Sequence, residues 1–311
     1  MRKMGLFGKR RIISPSPANL SGLIVPLLTP LNEDKSIDFI SLKTLVARLL
    51  NKGVKSFFLF GPYSEQEFLS SSEKEAILEV VFKEVNGKGF VLAGCFGKDV
   101  DEIVELVAIA EKFTNYCVVS LSKTILEDEL SFIDFFDHIF RHTKTNILLY
   151  DDIRLSGIVI PVPWLEKIVT WERFIGIIEY SKDIDYINEL NSLNHLTKLF
   201  EASKDMAFYC LRQGFCGIAC NSSLIFPGYF LELAESMGEM DMRKYLINDA
   251  RINEIKKSYP IGKKMQALKR VLFLRGLMNS YCFDDSLSLT ELEKVKIEQA
   301  VLAHQTESFH Y

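Results

Sequence analysis

From residue 22 onward, short apolar runs alternate with segments whose apolar residues fall at helical spacing. Gly22–Leu28 is the first run and leads into a polar turn, Asn32-Glu33-Asp34-Lys35. Ile40–Leu50 has the period of an amphipathic helix, and Gly53 supplies its stop. Ser56–Phe60 reads as a second strand, broken at Gly61-Pro62. Ser72 then opens a helix, with Glu73 and Glu75 favouring its positive end. Phe90–Ala93, Val100–Phe113, Tyr116–Leu121 and Leu130–His142 repeat the alternation of strand and helix. Asn146–Tyr150 is a fifth strand, a short helix runs from Pro161 and Pro163 to about Val169, and an apolar run from Phe174 is the sixth strand. Asp185–Asn191, Lys198–Ala202, Ala207–Gln213 and Cys216–Cys220 complete the series as helix, strand, helix and strand.

Eight strand-like runs, each followed by a helix-like one, predict an α/β fold, the (β/α)8 TIM barrel. Beyond Pro227 the strand signals cease, and Tyr229–Met237, Met240–Lys257, Lys263–Met278 and Thr290–His304 read as a C-terminal helical extension. The predicted organisation is a basic, solvated and flexible arm over residues 1–20, closed by Pro15 and Pro17, a barrel over 21–227, and a helical region over 228–311.

A chain of 311 residues, 48% hydrophobic and 25% charged, has ample material for one such barrel and its core. A net charge of −4 gives no electrostatic reason to expect nucleic acid or an anionic membrane as partner. No apolar run has the length of a membrane span, and no apolar leader segment follows the basic opening Met1–Arg11. The six cysteines form no Cys-x-x-Cys pair, and the five histidines show no ligand spacing to them. They read as buried free thiols of a protein in a reducing cytoplasm, with no metal and no cofactor expected.

The chemistry turns on Phe174-Ile175-Gly176-Ile177-Ile178-Glu179-Tyr180-Ser181-Lys182-Asp183. An apolar run without helical period that ends in abrupt polarity suits a buried strand opening at its C-terminal end, where barrel chemistry sits. The segment resembles the Gly-Ile-Lys-Glu-x-Ser-x-Asp strand of the pyruvate-dependent aldolases, the family of dihydrodipicolinate synthase and N-acetylneuraminate lyase. In that family the lysine forms the Schiff base with pyruvate. A gap-free fit of Gly176, Glu179, Ser181 and Asp183 puts Ile178 in its place. The resemblance runs over roughly residues 21–303. Gly61-Pro62-Tyr63-Ser64-Glu65 is similar to the family's Gly-Thr-Thr-Gly-Glu loop, which implies that Pro62 and Tyr63 replace hydroxyls that hold the pyruvate carboxylate. Thr124 stands where a relay tyrosine is usual, and Tyr150 keeps the place of the other relay tyrosine. Leu155 replaces the arginine that pairs a substrate carboxylate, with Arg154 one residue early, and Ala219 joins the implied substrate-binding set.

Residues that shape turns therefore match, while most of those that would do chemistry do not. Tyr150 is read either as a relay or as packing at the barrel mouth. Asp151 and Asp152, adjacent on an extended chain, should face opposite sides and not share a site. Two functions follow. In one, a dihydrodipicolinate synthase-like protein without Schiff-base chemistry serves as a binding, regulatory or assembly subunit. In the other, it is a lyase or synthase on pyruvate or another 2-oxo acid, using Lys123 or Lys182 as a displaced amine or a non-covalent mechanism. The resemblance also implies a homo-oligomer, tetramer or dimer, and at most weak binding of a small 2-oxo acid.

Overall fold

The computed structural model describes residues 15–122, 128–236 and 241–304. Eight strands, β1 (Gly22–Pro26), β2 (Ser56–Leu59), β3 (Phe90–Cys95), β4 (Tyr116–Val119), β5 (Asn146–Asp151), β6 (Phe174–Glu179), β7 (Lys198–Glu201) and β8 (Gly217–Ile218), follow the predicted order. All pair in parallel with their sequence neighbours, and β8 returns to β1 to close the barrel. The chain thus forms the (β/α)8 barrel with C-terminal helices that its pattern predicts. β8 is shorter than Cys216–Cys220, and its closure rests on two residue pairs, Gly22 with Gly217 and Leu23 with Ile218. A Cβ on Gly217 would lie 2.0 Å from the Gly22 carbonyl oxygen, so glycine alone permits this approach.

Alternation along the strands makes two apolar layers. Ile24, Phe58, Leu92, Val118, Leu148, Ile178, Phe200 and Ala219 share one buried cluster inside the barrel. Val25, Phe57, Val119, Leu149, Ile177, Leu199 and Ile218 face the surrounding helices in the other. β6 carries an irregularity: Ile147 pairs with Phe174 but Leu148 with Gly176, so Ile175 is an extra residue.

The N-terminal end of the barrel is stoppered. Residues Pro17–Asn19 form a 3₁₀ turn capped by Ser16, Leu20 is fully buried in the interior cluster, and the Tyr116 hydroxyl donates to the Pro15 carbonyl. The described part of the stretch read as a solvated arm is therefore anchored at its end, because an apolar Leu20 fills the tapering base beside Phe90 and Tyr116. The remainder of that arm, residues 1–14, lies outside the described residues.

Helix boundaries follow local chemistry. The second long helix begins at Ser71 rather than Ser72, since Ser70 and Glu73 form a reciprocal capping box. The helix Lys264–Leu274 stops before the predicted Met278, because Gly276 takes a left-handed φ of +66° and its neighbours turn back onto Leu272 and Phe273. Pro227–Glu235, Met242–Lys257 and Glu291–Ala303 complete the C-terminal helices. Among the described residues no helix is long and apolar enough to cross a membrane.

Candidate functional site: the barrel mouth

Ile178 points into the barrel, between Tyr150 of β5 and Phe200 of β7 at the same register, and is 0% exposed. Tyr150 is buried with it, its ring tilted against Phe58 and Phe96 at centroid distances of 6.1 and 5.8 Å. Burial holds its phenol well above the usual range, so it stays protonated. Ala219 belongs to the same interior cluster, and Leu155 packs against it. The centre that the family resemblance assigns to a covalent amine is thus apolar.

A polar assembly lies over it. After β2 the chain makes a tight turn, with the Ser64 N–H donating to the Gly61 carbonyl at 3.0 Å and Thr29 Oγ1 donating to the Ser64 carbonyl at 2.6 Å. Phe60 and Glu65 flank this turn in left-handed conformations, φ +58° and +57°. Pro62 suits such a turn but offers no N–H to an anion. The turn delivers the Tyr63 hydroxyl to Arg154 Nη1 at 3.4 Å and Lys264 Nζ at 3.3 Å, and the Lys264 ammonium also lies 4.5 Å from the Tyr63 ring centroid. Burial alone would raise the Tyr63 phenol; Lys264 and Arg154 overcome it and leave the phenol below its ordinary value.

Arg154 is placed by a short helix, Ile153–Ser156, that Asp152 caps. Its guanidinium stacks 3.9 Å from the Tyr180 centroid and bonds the Asp152 carboxylate, with Nε to Oδ1 at 2.8 Å. Asp151 turns the opposite way, toward Tyr186 at 2.5 Å, as two successive residues of an extended strand must. Arg154 therefore does not stand free as the carboxylate clamp that Leu155 lacks.

Lys182, a candidate displaced amine, sits at φ +64° with Nζ 2.7 Å from Asp205 and is about half exposed. Asp205 also meets Lys204 and Lys256 at 3.3 and 3.5 Å, and Lys204 pairs with Asp249. These three lysines overcome the effect of burial and hold the Asp205 carboxyl far below its usual range. Lys123 and Thr124 lie outside the described residues. The buried lysines each have a partner: Lys74 with Gln66 at 3.0 Å, Lys204 with Asp249, and Lys269 with Glu65 and the Tyr281 carbonyl.

Beside the mouth, between the ends of β2–β4 and the helix Ser71–Val85, lies a cavity of about 650 Å³. Its walls include Pro62, Leu155, Phe96 and Lys74, and they do not include Tyr150, Ile178 or Ala219. Among the described residues no group of three histidine, cysteine or carboxylate side chains could hold a metal ion. Cys210 and Cys216, read as packing residues, donate their thiols to Glu201 and to the Leu199 carbonyl.

Sequence reasoning placed Pro62, Tyr63, Tyr150, Leu155 and Ile178 near one mouth. It missed that Lys264 and Tyr180 join them. The aromatic Tyr180 at the strand end was a usable signal; a lysine on a distant helix was not.

A parallel barrel with its strand ends gathered in this way, followed by a helical extension, is the architecture of the pyruvate aldolases. The model of the dihydrodipicolinate synthetase family matches residues 19–304, and the chain belongs to that family. It is 26% identical over 230 residues to the 4-hydroxy-tetrahydrodipicolinate synthase of Methanopyrus kandleri, covering 72% of this chain and 76% of that protein. It is 28% identical over 265 residues to an "uncharacterized DapA-like lyase" of Pyrococcus furiosus, covering 83% and 88%. Its fold also matches that of a prophage protein of the dihydrodipicolinic acid synthase family from E. coli K12, solved in complex with pyruvate. That match has a TM-score of 0.84 and 19% identity over 92% of this chain and 99% of the other.

Proposed function

We propose that this dihydrodipicolinate synthase-like protein does not form a Schiff base with pyruvate and acts as a binding, regulatory or assembly subunit of the aldolase type. The observation that carries the reading is Ile178, wholly buried among apolar side chains at the position where the family resemblance places the reactive amine. An alkyl side chain cannot condense with a carbonyl, and loss of a covalent nucleophile costs about 10⁶ in rate in the best-studied hydrolase. Lys182 does not take over, since its amine is engaged by Asp205 and stands on a strand end beyond Tyr180. Recognition of a carboxylate is weakened in parallel, by Pro62 at the loop and by Leu155 at the cation position. The reading includes a homo-oligomer, dimer or tetramer, in a reducing cytoplasm, in keeping with six cysteines that are all free.

Incubation with pyruvate and borohydride, followed by intact mass measurement, is the test. No mass increase is expected. A stoichiometric adduct would overturn the reading, and peptide mapping would then show whether Lys123, Lys182 or another amine carries it.

A further inference from the structure

Behind the mouth, on the face of the strands that meets the helices, three carboxylates lie in a row. Asp151, Glu179 and Glu201 occupy one register on consecutive strands β5, β6 and β7. Each follows an outward-facing core residue by two positions (Leu149, Ile177, Leu199), and each is at most 5% exposed. Neighbouring strands stand about 4.8 Å apart, so the groups crowd one another.

Their N–H, O–H and S–H donors are all neutral, and Glu179 and Glu201 also contact each other side chain to side chain. Asp151 accepts from the Tyr186 hydroxyl at 2.5 Å, on the helix Ile184–Leu190. Glu179 accepts from the Ser181 N–H. Glu201 accepts from the Ser203 N–H at 2.5 Å and from the Cys210 thiol at 3.1 Å, on the helix Ala207–Arg212. Glu179 Oε2 has no hydrogen-bond partner among the described residues. Nor does any lysine, arginine or histidine among them bond or pair with the three. The other charged group that acts on the row, Asp152 after β5, is negative, as is Glu189, which acts on Tyr186.

Three adjacent buried anions without a cation would repel one another and forfeit several kcal/mol of hydration each. The protein escapes this by retaining protons, and the proton count then depends on pH.

We propose that this row is a proton-held latch: protonated, it keeps β5, β6 and β7 packed on their helices, and deprotonation as the pH rises loosens that part of the barrel. The direction follows from linkage. Burial raises all three groups against the lowering by their hydrogen-bond donors, and the Glu179 charge adds to the rise of Glu201 and Asp151, which reaches about 7. Their stabilisation is complete below the ordinary carboxyl range and is lost as pH rises through the folded values. The strands concerned carry Tyr150 and lead into Tyr180 and Ser203-Lys204-Asp205, so the latch acts on the mouth directly.

The test is amide hydrogen exchange of the full chain from pH 6 to pH 9, corrected for intrinsic chemical rates. For Asp151 alone, the ratio of closed to open forms should fall about tenfold across that window. Protection of residues 146–151, 174–179 and 198–201 should fall by at least this factor and by less in β2 and β3. In the variant Asp151→Asn/Glu179→Gln/Glu201→Gln the fall should vanish. Should that variant not fold, Asp151→Asn alone keeps an acceptor for Tyr186 and should lose the tenfold share. Protection that is flat in the wild type, a fall spread evenly over the barrel, or an equal fall in the variants would overturn the proposal.

Discussion

On the function proposed above, Ile178 is the single side chain that rules out a Schiff base. Its neighbours Tyr150, Phe200 and Leu148 offer an amine at that depth no carboxylate to pair with. Ile178→Lys should therefore cost about 3–5 kcal/mol at neutral pH, the scale of an uncompensated buried charge, seen as a lower midpoint in thermal melting. It should also leave aldehyde-dependent turnover at background. A restored amine would still face Pro62 in place of a donor, and a reacting group about 1 Å out of place already costs ~10²-fold. Robust turnover from this single change would mean that the rest of the site is intact. Ile178, Pro62 and Leu155 were legible because short motifs fix their register in the sequence. The Tyr63–Arg154–Tyr180–Lys264 assembly was not. Its members come from three strand-end loops and a C-terminal helix, and only the closed barrel brings them to contacts of 3.3 to 4.5 Å.

Between elements, the most consequential contact is the ion pair of Glu65 with Lys269. It ties the left-handed turn after β2 to the helix Lys264–Leu274, and the second Glu65 oxygen accepts from the Phe283 N–H at 2.8 Å. Both side chains are essentially inaccessible to water. Lys269→Met should cost about 3–5 kcal/mol, because Glu65 is left charged and unpaired, whereas Glu65→Gln/Lys269→Met should recover most of it. Urea denaturation of the two variants checks this; equal losses would show that the pair itself, not the orphaned charge, sets the cost. The barrel strands were readable as apolar runs. No pattern in the sequence names Lys269 as the partner of Glu65, since Lys263, Lys264 and Lys269 all stand in the same stretch. The carboxylate row was hidden for a related reason. Asp151, Glu179 and Glu201 each end an apolar run and look like ordinary strand exits. Only the pairing register sets them side by side.

At the scale of the molecule, the barrel is a ring held most lightly at its joint, β8: two residue pairs join it to β1 and two to β7, against five register pairs between β5 and β6. Gly217→Ala would force a Cβ into the Gly22 carbonyl at 2.0 Å, and a loss of about 2–3 kcal/mol is expected as the joint spreads. Exchange of the β1 amides should rise in step; unchanged protection there would show that closure tolerates the methyl group. The joint also imposes an order of events on synthesis. β1 leaves the ribosome first and its partner β8 last among the strands, so the growing chain carries a seven-stranded open sheet until Gly217 and Ile218 emerge. Both borders of that sheet, β1 and β7, are then bare, and unpaired strand borders are templates for pairing with other chains. A pause in translation shortly before residue 217 would therefore be the interval in which this protein is most exposed to aggregation.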